Sequence, residues 1–259
     1  MNDCFDTHKL GLIKDNLIDA NKRCTAAFVM SLILLILTSG LVVVIIIAVI
    51  SSYKNREIMV KKPAIYVYAN QSSDKDMQNY TVSLTANSEV KTVYPKAIKT
   101  DNNYKWNISV DKKQDSIFVN NDEYSYLFWD GKYDSDFVFN KGFCVKGSDT
   151  EEFLEEKLYA MGLESNEVHD FVVYWLPQMN ENEYNLISFT GFDENDDYNK
   201  TYNLDLLDEN GNSVGEKFRV IMIWTSLNHK INIEEQELPV FNRPIDKPFM
   251  VEWGGQELD

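Results

Sequence analysis

The chain has 259 residues, with 41 Asp and Glu against 25 Lys and Arg, which gives a formal net charge of −16 at pH 7. A surface this negative repels phosphate backbones, so the composition argues against nucleic acid as a partner and favours neutral or cationic ligands. The first 52 residues hold four basic and four acidic residues, so the whole acidic excess lies beyond them.

An uncharged apolar run at residues 26–50 follows a polar tail at 1–25. As a helix this run would be about 37 Å long, enough to cross a hydrocarbon core of about 30 Å. The sequence therefore predicts a transmembrane helix at 26–50 that contacts the lipid bilayer. A buried core helix and a cleaved signal peptide are the alternatives. The first should show a polar face and the second a shorter apolar core.

The flanking charges do not decide the orientation of this helix, because four Lys or Arg residues precede it and four follow it. A single hydrophobic segment near the N-terminus typically acts as a signal-anchor. We therefore expect the tail in the cytoplasm and the rest of the chain outside. The predicted location is the cell membrane, single-pass, with an extracytoplasmic C-terminal domain.

Short runs of β-branched, aromatic or alternating residues follow a basic linker at 51–61, and polar clusters separate them. Such runs predict β-strands. They lie at 63–69, 80–85, 105–110, 116–119, 124–129 and 142–146. The run at 124–129 is apolar or aromatic at nearly every position, which indicates a strand buried on both faces.

Two helices are predicted next. Ser148 and Glu151 fit a capping box for the first helix, and Gly162 supplies its C-terminal stop. Ser165 can cap the second helix, and Pro177 is expected to end it. The two helices should form a hairpin whose apolar stripe packs on a sheet, because two short helices alone cannot fill a core.

Further strands are predicted at 184–189, 202–206, 218–224 and 249–253, and Asn210-Gly211 is a hairpin-turn signal. The predicted fold class is α+β. A single N-terminal transmembrane helix is followed by a strand-rich globular domain of antiparallel sheets with a two-helix hairpin. This domain covers residues 62–259, and a sub-boundary near residue 147 stays open.

Five runs carry a resemblance to a known family: KPAIYVY (62–68), YSYLFWDG (124–131), KGFCVKGSDTEEFLEEKL (141–158), DFVVYWLPQMNENEYNLISF (170–189) and VEWGG (251–255). Through them the chain resembles a family of bacterial proteins of uncharacterised function, often exported or membrane-anchored. The resemblance covers most of residues 62–255 and implies a bacterial origin and a shared fold. It implies no activity, substrate or site residue.

Residues with metal or cofactor chemistry form no convincing motif. Asp193 to Asp197 offer oxygen ligands at alternate positions, but Tyr198 stands where a calcium loop needs glycine and Leu204 where it needs glutamate. No pair of histidines has the spacing of a zinc site. The sequence therefore predicts no metal and no cofactor.

The candidates for ligand binding are mainly aromatic. Trp129, Trp175 and Trp253 lie in the family-like runs, and exposed rings beside acids suit sugar or peptide binding, whereas buried rings would be core. Glu252, in an otherwise apolar segment, is the carboxylate whose burial should be tested. His169 completes the set and falls on the polar side of the second helix.

These observations favour a single-pass membrane-anchored protein whose acidic extracytoplasmic domain is a binding or interaction module for a protein or glycan at the cell surface. One alternative is a cell-envelope hydrolase that uses buried carboxylates. A second is a regulatory or structural partner of another membrane protein. No residue motif requires an enzymatic activity.

Overall fold

The computed structural model describes residues 30–31, 42–43, 59–133 and 137–258. The chain divides into two units, residues 1–56 and 57–259, and the fold given below is that of the second. Its strands are β1 Met59–Tyr68, β2 Met77–Ala86, β3 Val90–Tyr94, β4 Ile98–Thr100, β5 Asn103–Asp111, β6 Ser116–Val119, β7 Asp122–Tyr124, β8 Leu127–Lys132, β9 Phe143–Lys146, β10 Tyr184–Thr190, β11 Tyr202–Leu207, β12 Glu216–Leu227 and β13 Phe249–Glu257. Its helices are α1 Thr150–Met161, α2 Ser165–Met179 and α3 Asp197–Thr201.

The strands form two sheets. The central sheet has seven strands in the order β3-β8-β1-β13-β12-β10-β9, and the outer sheet has the order β11-β2-β5-β6-β7 with β4 also paired to β5. Strands from both sides of residue 147 share each sheet. All described pairs are antiparallel except β12 with β13, which are parallel. A parallel pair needs a long return, and residues 228–248 provide it.

The central sheet is buried on both faces, so this unit has three layers. One core cluster joins the central sheet to the outer sheet and includes Ile65 and Val67 of β1. The other joins the central sheet to α1 and α2 and includes Tyr66 and Tyr68 of the same strand. Alternation along β1 therefore supplies both cores, which explains its near-continuous apolar sequence. The predicted packing of the helix pair on a sheet is confirmed.

The transmembrane part of the predicted fold class is wrong. No helix in the residues that the structure describes combines the length and apolarity needed to cross a bilayer. The longest of them, α2, has 15 residues, or about 22 Å, and carries Glu167 and Asp170. The interpretation as a single-pass, signal-anchor membrane protein is corrected with it. Apart from 30–31 and 42–43, residues 26–50 lie outside the described residues, and the predicted orientation stays untested.

The strand-rich antiparallel character is confirmed, but several local predictions are wrong. β8 alternates between buried and half-buried residues, so the run at 124–129 is not buried on both faces. Ser148 lies in a short 3₁₀ turn at Gly147–Asp149 and does not cap α1. The second helix is capped by Glu164 through a capping box with Glu167, and it continues through Pro177. Pro177 is exposed, so water can satisfy the carbonyl that its missing N–H leaves free.

The predicted glycine signals are confirmed in part. Asn210-Gly211 does form a turn, with Gly211 at φ +83°, but the flanking strands β11 and β12 belong to different sheets. β13 does not end at Gly254-Gly255 but runs on to Glu257. A Cβ at Gly255 would stand 2.7 Å from Trp175 Cζ2, so α2 approaches the sheet at this point. Gly162 ends α1 in a left-handed conformation, as predicted.

Candidate functional site: a lysine surrounded by aromatic rings

The site begins with an irregularity in β1. Lys62 has a positive φ of 58°, and the pairing of β1 shifts register here against both β8 and β13. Pro63 follows and cannot donate a ladder hydrogen bond. A left-handed conformation costs a non-glycine residue about 1–2 kcal/mol. Local strain of this kind is a pointer to function, and here it displaces one lysine from the strand's regular alternation.

Three aromatic rings surround the Lys62 ammonium group. Its Nζ donates a hydrogen bond of 2.8 Å to the Tyr126 hydroxyl and lies 4.7 Å from the centroid of that ring. The ring centroids of Phe128 and Tyr174 are 5.4 Å and 5.9 Å away. A cation within about 6 Å of an aromatic face is attracted by the ring quadrupole. We call Lys62, Tyr126, Phe128 and Tyr174 the lysine–aromatic cluster.

Two carboxylates border the cluster. Asp170 of α2 accepts a hydrogen bond of 2.7 Å from the Tyr66 hydroxyl. Asp130 of β8 has one oxygen, Oδ1, that is buried and has no hydrogen-bond partner among the described residues. Burial raises the pKa of Asp130, although hydrogen bonds from Thr92 oppose this. Burial and the nearby charge of Asp130 raise the pKa of Tyr174, so these two side chains are electrostatic neighbours.

The cluster is open to solvent. Lys62, Tyr126, Phe128, Asp130 and Tyr174 are all half-buried, whereas the side chains beneath them are fully buried. Fixed aromatic rings, an ammonium group and a carboxylate with spare hydrogen-bonding capacity thus meet at one partly exposed place. Such a combination is typical of ligand sites.

The five residues predicted from sequence are placed differently. Trp129, Trp175 and Trp253 are fully buried, the first between the two sheets and the others between the central sheet and the helices. His169 is exposed on α2. Among the described residues, the side-chain hydrogen bond that links two of these five residues runs from Trp129 Nε1 to Glu252 Oε1 at 2.8 Å. The five residues therefore do not form one site.

Glu252 is buried as anticipated, but its oxygens are already engaged. Oε2 accepts hydrogen bonds from Arg219 Nε at 2.6 Å and from the Tyr198 hydroxyl at 3.3 Å. Arg219 is also buried and donates to Asn199 Oδ1 and to the Tyr202 carbonyl. Burial is the largest single effect and opposes the charge of Arg219, but the attractions of Glu252, Tyr198 and Asp196 together outweigh it and raise the Arg219 pKa. This arrangement joins the two sheets and leaves Glu252 no access to a substrate.

We find no candidate metal-binding site in the part of the chain that the structure describes. Residues 59–133 and 137–258 contain no group of three His, Cys, Asp or Glu placed to hold an ion. The acids of the 193–197 loop serve local structure instead. Asp196 caps α3 by accepting from the Asn199 amide at 2.7 Å, and Asp193 accepts from the Asn195 amide at 2.8 Å.

The rings of the cluster lie in the aromatic, family-like runs at 124–131 and 170–189, next to the predicted Trp129 and Trp175, but Lys62 and Asp130 were missed as candidates. Two signals were present: a lysine directly before the proline of a buried strand, and an acid inside an aromatic strand. No protein-family model matches the chain, and comparisons with curated proteins and with solved structures find no similar protein. The resemblance to a bacterial family therefore stays a prediction, and the site is interpreted from its geometry alone.

Proposed function

We propose that this protein is a non-enzymatic binding module that recognises a neutral glycan at the lysine–aromatic cluster. The observation that carries the proposal is the placement of three half-buried rings around one ammonium group, beside a carboxylate oxygen that lacks a partner.

The rings supply the apolar part of the recognition. A pyranose presents a face of C–H groups, and packing that face against aromatic rings removes apolar surface from water. Tyr126 is held against Tyr66, with centroids 5.4 Å apart, and Tyr174 packs edge-on against the buried Trp175. Because these rings are held by the core, little side-chain entropy is lost when a ligand binds.

The charged groups supply the polar part. A lysine ammonium has three N–H donors, and one of them is used by the Tyr126 hydroxyl. Asp130 Oδ1 is an acceptor without a partner among the described residues and lies close to Tyr174, and because this oxygen is buried, the Asp130 side chain must rotate for a sugar hydroxyl to reach it. The donor and the acceptor both neighbour the Tyr174 ring, so a sugar packed on that ring can meet them with two of its hydroxyl groups, and occupation by a hydroxyl would relieve the unpaired oxygen.

Net charge decides between neutral and ionic ligands. The chain's charge of −16 disfavours an acidic glycan, and the Lys62 ammonium in the middle of the cluster disfavours a cationic one. A neutral glycan meets neither penalty. Hydrolysis by Glu252, the enzymatic alternative, gains no support because that carboxylate is fully buried and engaged by Trp129, Arg219 and Tyr198.

The test is isothermal titration of the full-length chain with a panel of neutral oligosaccharides of glucose, galactose, mannose and N-acetylglucosamine. We expect at least one member to bind, and Tyr174→Ala and Asp130→Asn each to weaken that binding at least tenfold. Tyr184→Ala is the matched control, because Tyr184 is also half-buried but lies on β10, three strands from β1. Absence of binding across the panel overturns the proposal, as does equal weakening by Tyr174→Ala and Tyr184→Ala.

A further inference from the structure

The outer side of the helix pair carries a second surface, separate from the lysine–aromatic cluster. A groove of about 850 Å³ runs between α1 and α2. We call it the helix groove, and the residues that define it here are Glu151, Glu155, Tyr159, His169, Val173 and Leu176. The α1 members recur every four residues and the α2 members every three or four, so each set forms one stripe along its helix.

The helix groove has apolar walls that nothing in the described residues covers. Val173 is 60% exposed and Tyr159 is 49% exposed. The floor is formed by Val168 and Val172, which are already buried by the core beneath them. A partner that covers Val173 and Tyr159 would remove their apolar surface from water and so gain binding energy.

One rim of the helix groove is acidic. α1 contains Glu151, Glu152, Glu155 and Glu156 but only one lysine, Lys157, which pairs with Glu156 at 3.0 Å. Glu151 and Glu155 have no ion-pair partner within the described part of the chain. Two unpaired carboxylates beside an apolar wall are complementary to a ligand that combines apolar and basic groups.

The backbone of the helix groove favours a helical ligand over an extended peptide. Both walls are helices, whose N–H and C=O groups are bonded internally, so an extended peptide could not gain main-chain hydrogen bonds here. A helix satisfies its own backbone and needs only side-chain contacts. From Ser165 to Pro177 the α2 wall extends for about 18 Å, room for roughly three turns of a partner helix.

We infer that the helix groove binds a basic amphipathic helix of a partner protein. A second copy of this chain fits less well, because a two-fold contact would bring the same patch of both copies together and with it two sets of unpaired carboxylates. A membrane surface fits less well because its anionic headgroups would meet these carboxylates. The inference stands apart from glycan recognition, since the helix groove and the lysine–aromatic cluster share no residue.

The probe is a fluorescein-labelled synthetic helix of Leu, Ala and Lys, with leucines at i, i+3, i+4 and i+7 and lysines beside them. Fluorescence anisotropy with the full-length chain at low salt should show saturable binding. Salt should weaken it several-fold, because the Debye length falls from about 10 Å at 0.1 M to about 3 Å at 1 M. Val173→Asp should weaken binding at least tenfold, and Glu151→Gln/Glu155→Gln should remove most of the salt dependence.

Two controls make the test specific. Val240→Asp replaces a valine that is 65% exposed on the 228–248 connection and should bind the probe as the wild type does. The same peptide with glutamate in place of lysine should not bind. Equal affinity of the Val173→Asp and Val240→Asp proteins, or equal binding of both peptides, overturns the inference. A chain dimer in sedimentation analysis that Val173→Asp dissociates also overturns it, because a second copy would then be the occupant.

Discussion

Removal of Arg219 tests whether the buried ion pair, with the hydrogen bonds of Arg219 to the Tyr202 carbonyl and of Tyr198 to Glu252, holds the two sheets together. In Arg219→Met the Glu252 carboxylate stays buried and keeps only Trp129 and Tyr198 as donors. Breaking a buried pair from one side costs about 3–5 kcal/mol, because a charge is left without its partner. Asn199 Oδ1 and the Tyr202 carbonyl lose their donor as well. We therefore expect a loss near the upper end of this range, a large part of a typical total of about 5–15 kcal/mol.

The measurement is equilibrium unfolding in urea, followed by far-ultraviolet circular dichroism. Glu252→Leu should cost a similar amount, whereas the double variant Arg219→Met/Glu252→Leu should cost less than the sum by at least about 2 kcal/mol, because no unpaired charge remains. Lys113→Met is the control. Its ion pair with Asp76 is short, at 2.6 Å, but both side chains are mostly exposed, so the urea midpoint should not move. Additive single substitutions would refute the reasoning.

Gly255→Ala should lower Tm more than Gly211→Ala. The Cβ at residue 255 would stand 2.7 Å from Trp175 Cζ2 and 2.8 Å from the Met222 carbonyl oxygen, whereas at Gly211 no atom lies within 4 Å and only the φ of +83° opposes alanine, at about 1–2 kcal/mol. Thermal unfolding compares them, and equal losses would contradict close packing of α2 on β13. Burial and the charge of Glu252 raise the pKa of Tyr198, so its hydroxyl stays protonated in the folded state when the unfolded chain loses that proton. Stability should therefore be full below pH about 10 and fall as the pH rises further, and Tyr198→Phe should reduce this fall by about 1.4 kcal/mol per pH unit. Urea titrations at several alkaline pH values measure the slope, and an unchanged slope in the variant would contradict the prediction.

Strand periodicity was the most informative signal in the sequence. β5 alternates strictly, with Tyr104, Trp106, Ile108 and Val110 facing the core, and its run was predicted within two residues at each end. The short edge strands β3 and β4 were missed because they are mostly exposed and bury too little apolar surface to show a pattern. Strand order was beyond reach, because the parallel pairing of β12 with β13 depends on the path of residues 228–248.

Long-range contacts explain the remaining errors. Glu164 was not recognised as a helix cap because its role depends on Glu167, which is also fixed by Tyr68 and by Arg243 far along the chain. Tyr68 donates a hydrogen bond of 2.6 Å to Glu167 Oε1, and Arg243 pairs with Oε2. Burial raises the pKa of Glu167, and the charge of Arg243 opposes this. A cap that depends on two distant segments cannot be predicted from the order of Ser, Glu and Pro alone.

The sequence pointed to Trp129 as a binding residue, whereas the candidate site is formed by its neighbours in β8. The contacts that decide this are again long-range. In β8 the side chains alternate, so Trp129 enters the core between the sheets, while its neighbours Phe128 and Asp130 face the helix side, near Lys62 and Tyr174 respectively. A shift of one residue along a strand exchanges the two faces. The two faces of β8 therefore have different roles. Trp129 donates a hydrogen bond to Glu252 and packs between the two sheets, whereas Phe128 belongs to the lysine–aromatic cluster and Asp130 borders it. Because Trp129 and Asp130 lie on opposite faces of β8, Asp130→Asn should change ligand binding with little effect on the free energy of unfolding. Truncation of Trp129 would instead lower the stability of the core.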